Sequence, residues 1–136
     1  MSLDQRIRSR APRILLAEDD AGTREALAAA LRSKGYEVVE VGTGEELSVS
    51  LSRTFATPYV RNDVIDLVVT DVDMPGRSGL SVLQSFRKAS WRIPAVIMTG
   101  LPVDDITASA QELGAVLLKK PFSIDALLTA VKTSLR

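Results

Sequence analysis

The sequence contains no cysteine and no histidine. The first absence excludes a disulfide framework and any thiolate site, and makes a reducing compartment the default. The second excludes histidine-based acid–base chemistry and histidine ligation of a metal. A charge of one sign is missing too. Lys and Arg number 17, as do Asp and Glu, so the formal net charge is zero and there is no electrostatic footprint for nucleic acid or anionic lipid. No apolar run approaches the roughly 20 residues of a membrane helix, and no signal-peptide pattern opens the chain. The expectation is a cytoplasmic protein that engages neither nucleic acid directly nor a membrane. Carboxylates, hydroxyls and lysines are what remain for polar chemistry.

What is present fits one domain of 136 residues with 46% hydrophobic content, large enough to fold on its own core. Residues 1–12 hold Arg6, Arg8 and Arg10 against a single Asp4 and show no periodicity; they are expected to be a flexible, solvated tail ahead of a domain over 13–136. From Arg13 onward the pattern alternates. Short apolar runs at Arg13 to Ala17, Glu37 to Val41, Ile65 to Thr70, Ile93 to Met98 and Ala115 to Leu118 predict five strands. Between and after them come helical faces: Leu27, Ala30 and Leu31; Leu47, Leu51 and Phe55; Leu80, Leu83 and Phe86; Ile106, Ala110 and Leu113; and finally Ile124, Leu127, Leu128, Val131 and Leu135, with Ser123 as N-cap. Strands with continuous apolar character imply burial on both faces. The predicted fold is therefore α/β, a doubly wound five-stranded parallel sheet with five helices, in the flavodoxin-like order 2-1-3-4-5.

In such a sheet the functional crevice lies beyond the carboxyl ends of the strands, where the strand order reverses. The first strand ends in Glu18-Asp19-Asp20, the third in Asp71, the fourth in Thr99 and the fifth in Lys120. The second, predicted to lie at the edge, ends only in Gly42 and Thr43. Four neighbouring strands thus deliver polar groups to one rim. Carboxylates placed together repel unless a cation sits among them, and a small oxygen-only site suits Mg²⁺. A carboxylate nucleophile, a divalent metal, a lysine and a hydroxyl together describe phosphoryl transfer onto an aspartate.

Ile14-Leu15-Leu16-Ala17-Glu18-Asp19-Asp20, Leu67-Val68-Val69-Thr70-Asp71-Val72-Asp73-Met74-Pro75-Gly76, Ile97-Met98-Thr99-Gly100 and Lys120-Pro121-Phe122 resemble the four signature segments of two-component response-regulator receiver domains. The resemblance runs from about Arg13 to the end of the chain. It implies that Asp71 is the phosphoacceptor and that Glu18 and Asp19 hold Mg²⁺, Asp19 directly and Glu18 through water. It also makes the backbone carbonyl of Asp73 a further metal ligand, with Thr99 and Lys120 contacting the phosphoryl group. The bond before Pro121 is expected to be cis, aiming Lys120 into the site. The implied partners are a sensor histidine kinase or a histidine phosphotransfer protein upstream, and a protein target or fused output domain downstream; a homodimer is also within the family's range. No output domain is in the sequence, so a stand-alone receiver and a piece of a larger regulator or hybrid kinase both stay open.

The chain departs from the family pattern in places. Leu117 stands where an aromatic residue often precedes the lysine by three positions, and Gly100 stands where alanine is common. Residues 53–63 are longer than a receiver needs and are expected to be a surface insertion. Plainer roles compete at single positions: Asp19 or Asp20 as a helix N-cap, Lys119 as a solvated charge, Trp91 as partial surface packing. Two other functions compete with the receiver: a receiver-like scaffold that is never phosphorylated, and an aspartate-nucleophile phosphohydrolase suggested by Asp71-Val72-Asp73.

Overall fold

The structure, a computed structural model, describes residues 11–56 and 64–136. The expected tail up to residue 10 and residues 57–63 of the expected insertion lie outside the described residues. Strands β1 (Arg13–Ala17), β2 (Glu37–Val41), β3 (Leu67–Asp71), β4 (Ala95–Thr99) and β5 (Val116–Lys119) form one parallel sheet in the order β2-β1-β3-β4-β5. Helices α1 (Ala21–Ser33), α2 (Gly44–Ala56), α3 (Gly79–Lys88), α4 (Thr107–Leu113) and α5 (Ile124–Ser134) alternate with them, and a 3-10 turn over Val103–Asp105 leads into α4. The expected fold class and strand order are those observed.

Strand periodicity explains the layering. Successive side chains point to opposite faces, so Leu15, Ala17, Val68 and Ile97 pack under α2, α3 and α4, against Leu47, Leu51, Val82, Leu83, Ala110 and Leu113. Ile14, Leu16, Leu67, Val69, Val96 and Met98 face the other way, against Leu27, Ala28 and Leu31 of α1 and Leu127, Ala130 and Val131 of α5. Strands β3 and β4 are buried at all their positions. Each fully buried aliphatic side chain contributes about 1.5–3 kcal/mol by leaving water, and this two-sided burial holds the central strands rigid beneath the rim.

Side-chain oxygens set the helix starts. Asp20, Ser78 and Ser123 cap α1, α3 and α5 by accepting from the N–H groups of Thr23, Ser81 and Ala126. Gly114 ends α4 in the left-handed region, at φ 66°.

Three expectations about helix faces are corrected. Ala28, not Ala30, completes the buried face of α1 with Leu27 and Leu31. Phe55 is 51% exposed: it lies in the last turn of α2 and approaches Trp91 edge-on, with ring centroids 6.3 Å apart. Ile124 is 43% exposed, being the first residue of α5, before that helix has settled onto the sheet. Trp91 is half-buried against Phe86 at 5.1 Å, the partial packing expected of it. The strands expected from Ile65 and Ile93 begin two residues later, at Leu67 and Ala95.

Candidate functional site

Parallel register fixes the heights of the groups at the carboxyl rim. Ala17 pairs with Thr70, Asp71 with Met98, Met98 with Leu118, and Thr99 with Lys119. Glu18, one residue past Ala17, is therefore level with Asp71. Lys120 stands two steps higher on the outer strand, with β4 between it and Asp71. Only a long, flexible side chain spans such a gap, and the backbone supports it: the Lys120 N–H donates to the Thr99 carbonyl at 2.7 Å, and the Lys120–Pro121 bond is cis, as expected.

The result is a compact charged cluster. Lys120 Nζ donates to Asp71 Oδ2 at 2.5 Å and lies 3.4 Å from Glu18 Oε2. Asp71 is 4% exposed and Glu18 3%, while Asp19 is exposed at the mouth. One carboxylate oxygen from each of Glu18, Asp19 and Asp71 lies within 4.8 Å of the other two. The second oxygen of Asp71, Oδ1, accepts from the backbone N–H of Asp73 at 3.1 Å.

Burial pushes the Glu18 carboxyl up to about 7, reinforced by a hydrogen bond shared with Asp71 and by the Asp71 charge; Lys120 and the Asp20 N–H offset this only in part. Burial alone would lower the Lys120 amine, but its hydrogen bond to Asp71 and the charges of Asp71 and Glu18 outweigh that and raise it. Asp20 goes the other way. Hydrogen bonds from the Thr23 hydroxyl and N–H hold its carboxyl below the usual range. Of the two acids that could have capped α1, Asp20 caps and Asp19 joins the cluster.

Thr99 is fully buried at the end of β4, and its Oγ1 accepts from the Leu101 N–H at 2.9 Å; among the described residues, no hydrogen bond ties it to the acidic groups. The Asp73 carboxylate stays exposed, outside the acidic triple. Lys119 is exposed, as expected of a solvated charge, and Leu117 is half-buried against the α2–α4 side of the core.

Two features of the site were missed in the sequence. The first is the glycine scaffold around the β3–α3 loop. A Cβ on Gly79 would come within 2.4 Å of the Asp71 carbonyl, and one on Gly44 within 2.0 Å of the Arg77 carbonyl, so both positions admit backbone where a side chain would collide. The second is Arg24, whose Nη1 donates to the Glu18 carbonyl at 2.8 Å. A cation in the first turn of a helix opposes the helix dipole, and that mismatch was the available clue.

The donor chemistry fits a hard cation. Three carboxylates, two of them buried, lie together beside one amine that contacts Glu18 and Asp71, and burial, reinforced by Asp71, is what holds Glu18 high. An all-oxygen set with one exposed member suits Mg²⁺, which keeps several waters.

Comparison with known proteins agrees with this picture. Residues 14–132 match the family model described as response regulator receiver domain. The chain is 40% identical over 123 residues to the transcriptional regulatory protein PdtaR of Mycobacterium tuberculosis, covering 88% of this chain and 55% of that protein. It is 35% identical over 122 residues to the response regulator protein FleR of Pseudomonas aeruginosa, covering 89% of this chain and 24% of that one. The chain thus spans about half the length of the first relative and about a quarter of the second. Among solved structures, the response regulator protein TrrA of Thermotoga maritima, in complex with Mg(2+)-BeF, superposes with a TM-score of 0.73 at 31% identity, covering 91% of this chain and 99% of that one. Among the described residues, no helix is long and apolar enough to cross a membrane.

Proposed function

This chain belongs to the response regulator receiver domain family, and on that premise we propose that it takes up a phosphoryl group on Asp71 from the phosphohistidine of a histidine kinase or a histidine phosphotransfer protein. It is a receiver domain of two-component signalling, a signalling domain rather than a classical enzyme. The observation that carries the proposal is the Lys120 amine on Asp71 Oδ2, with the Glu18 and Asp19 carboxylates drawn up beside it.

In the proposed reaction the donor's P–N bond breaks as a P–O bond forms to a carboxylate oxygen of Asp71. The imidazole leaves with the bonding pair, and the product is an acyl phosphate. The chain's own residues position and neutralise, which is most of what this chemistry demands. The Asp73 N–H orients the Asp71 carboxylate, and Lys120 follows the negative charge from that carboxylate to the arriving phosphoryl oxygens. Thr99 has a hydroxyl whose hydrogen is committed to no described residue, and it donates to the phosphoryl group once it arrives. Glu18, Asp19, Asp71 and the main chain of Asp73 would hold Mg²⁺, which when bound supplies the positive charge that three carboxylates and a phosphoryl group need.

Transfer of Lys120 and Thr99 onto the phosphoryl group gives the phosphorylated chain contacts that the free chain lacks. That difference shifts the population between two conformations, and hydrolysis of the acyl phosphate resets it. The reader of the switch is a downstream protein or a fused output domain, in keeping with the greater length of the relatives, and the setting is the cytoplasm. The phosphohydrolase alternative would need the Asp73 carboxylate as a general acid. Asp73 instead gives the site its backbone N–H, with its side chain exposed.

The test is intact mass after incubation with acetyl phosphate and Mg²⁺. An added phosphoryl group is expected in the wild type, lost in Asp71→Ala and prevented by EDTA. An unchanged wild-type mass, with no binding of beryllofluoride, would move the assignment to an unphosphorylated scaffold.

A further inference from the structure

The carbonyl of Glu18 belongs to the peptide that joins Glu18 to Asp19, so whatever holds this oxygen sets the direction in which both side chains leave the backbone. The chain crosses the rim here. The Glu18 N–H is still in the sheet, donating to the Val41 carbonyl at 3.1 Å, but its carbonyl has passed the last β1–β3 pair, Ala17 with Thr70. Among the described residues no strand N–H donates to it; Arg24 does, through Nη1 at 2.8 Å.

Arg24 is itself held on two sides. Its backbone N–H donates to the Asp20 carbonyl as α1 begins, and its Nε lies 3.8 Å from Glu40 Oε1 on β2. A Cβ on Gly42 would stand 3.0 Å from Nη1, so glycine at that position leaves the guanidinium its lane along the end of β2. The helix dipole disfavours a cation at this place, and Glu40 with the Glu18 carbonyl supplies the compensation. Glu40 is shared with Arg32, whose Nη1 lies 3.1 Å from Oε2, but Arg32 sits three turns along α1 and makes no contact with the acidic turn.

We propose that Arg24 is a positioning residue for the acidic pair: by holding the Glu18 carbonyl it fixes the Glu18–Asp19 peptide and presets the two carboxylates for a divalent cation, with Glu40 as its anchor on the edge strand. The proposal rests on Glu18 and Asp19 being the metal-holding pair. It gives β2, the strand that contributes no group to the rim directly, an indirect part in the site.

The experiment measures Mn²⁺ binding by electron paramagnetic resonance, with Mg²⁺ as competitor, alongside amide hydrogen exchange at Asp19 and Asp20. Arg24→Met is expected to weaken Mn²⁺ binding by about tenfold, the scale on which groups that orient ligands act, and to speed exchange at both amides. Glu40→Gln should produce a smaller loss in the same direction, and Arg24→Lys, which keeps one donor, should fall between wild type and Arg24→Met. Arg32→Met, which removes the other partner of Glu40 and leaves the Arg24–Glu40 pair and the turn in place, should leave the metal affinity unchanged. Should Arg24→Met fail to fold, the Lys and Gln variants carry the same comparison. Wild-type affinity and exchange in Arg24→Met, or in both milder variants, would overturn the positioning role while leaving Asp71 as phosphoacceptor. Absence of Mn²⁺ binding in the wild type would overturn both.

Discussion

At the amino end of the sheet, Arg13 on β1 pairs with Glu37 on β2 at 2.8 Å, and the Arg13 N–H reaches Asp66 Oδ2 at 2.7 Å. At the carboxyl end, the carboxylates of Glu18, Asp19 and Asp71 gather, and the Lys120 amine reaches Glu18 and Asp71. Both ends bring charged residues from different strands together, yet their electrostatics differ. The Arg13–Glu37 pair is open to water, with the Glu37 side chain nearly half exposed; a pair like this contributes little. The carboxyl end leaves anions in excess and buries two of them. A group of charges that the fold alone does not balance marks a place built for something that arrives from outside.

The largest way to break this contrast is Asp71→Asn. Phosphoryl uptake should disappear altogether by intact mass, while Glu37→Gln at the other end should leave uptake intact and change stability by no more than about 0.5 kcal/mol in denaturant titration. Next comes Lys120→Met, which removes the cation proposed to follow the transferring charge. Its phosphorylation rate with acetyl phosphate should fall by about 100-fold, as for loss of one preorganised donor to developing charge.

A third effect is set by pH. In the folded chain without metal, Glu18 keeps its proton up to about 7, against the ordinary glutamate value of 4.5. The unfolded chain gives its proton up first, so between those values the folded state binds more protons and stability falls as pH rises. Thermal unfolding in EDTA should therefore show Tm decreasing from pH 4.5 towards 7, and saturating Mg²⁺ should flatten the slope. A Tm in EDTA that is level across this window would show that Glu18 is not held high.

The smallest effect separates two adjacent acids. Asp20→Ala removes the N-cap of α1 and should lower Tm while leaving the affinity for Mg²⁺ at its wild-type value. Asp19→Ala should do the reverse, with calorimetric Mg²⁺ titration as the measurement.

Much of this was legible along the chain. The continuous apolar runs of β1, β3 and β4 read as strands covered on both faces, and their ends at Glu18, Asp71 and Thr99 mark the rim in the sequence itself. What was not legible depended on relations across elements. Helical periodicity placed Phe55 and Ile124 on apolar faces, but periodicity does not say where a helix outruns the sheet, and both are exposed. Asp19 and Asp20 are equivalent by residue type and by nearness to α1; only the path of the chain over the rim sends one into the cluster and the other onto Thr23. Arg24 escaped notice because its partner is a backbone carbonyl; the cation at the start of α1 hints that a partner exists without saying which.

By itself, then, the amino-acid order determined the alternation of strands and helices, the parallel sheet and the set of groups at its carboxyl edge, because hydrophobic period and strand ends are local properties. The tertiary structure alone decided how those groups share charge: which carboxylate is buried, which one Lys120 reaches, and which carbonyl Arg24 holds. Those outcomes depend on register between strands distant in the chain and on the low polarity of the core beneath them, and electrostatic energies follow distance and burial rather than sequence.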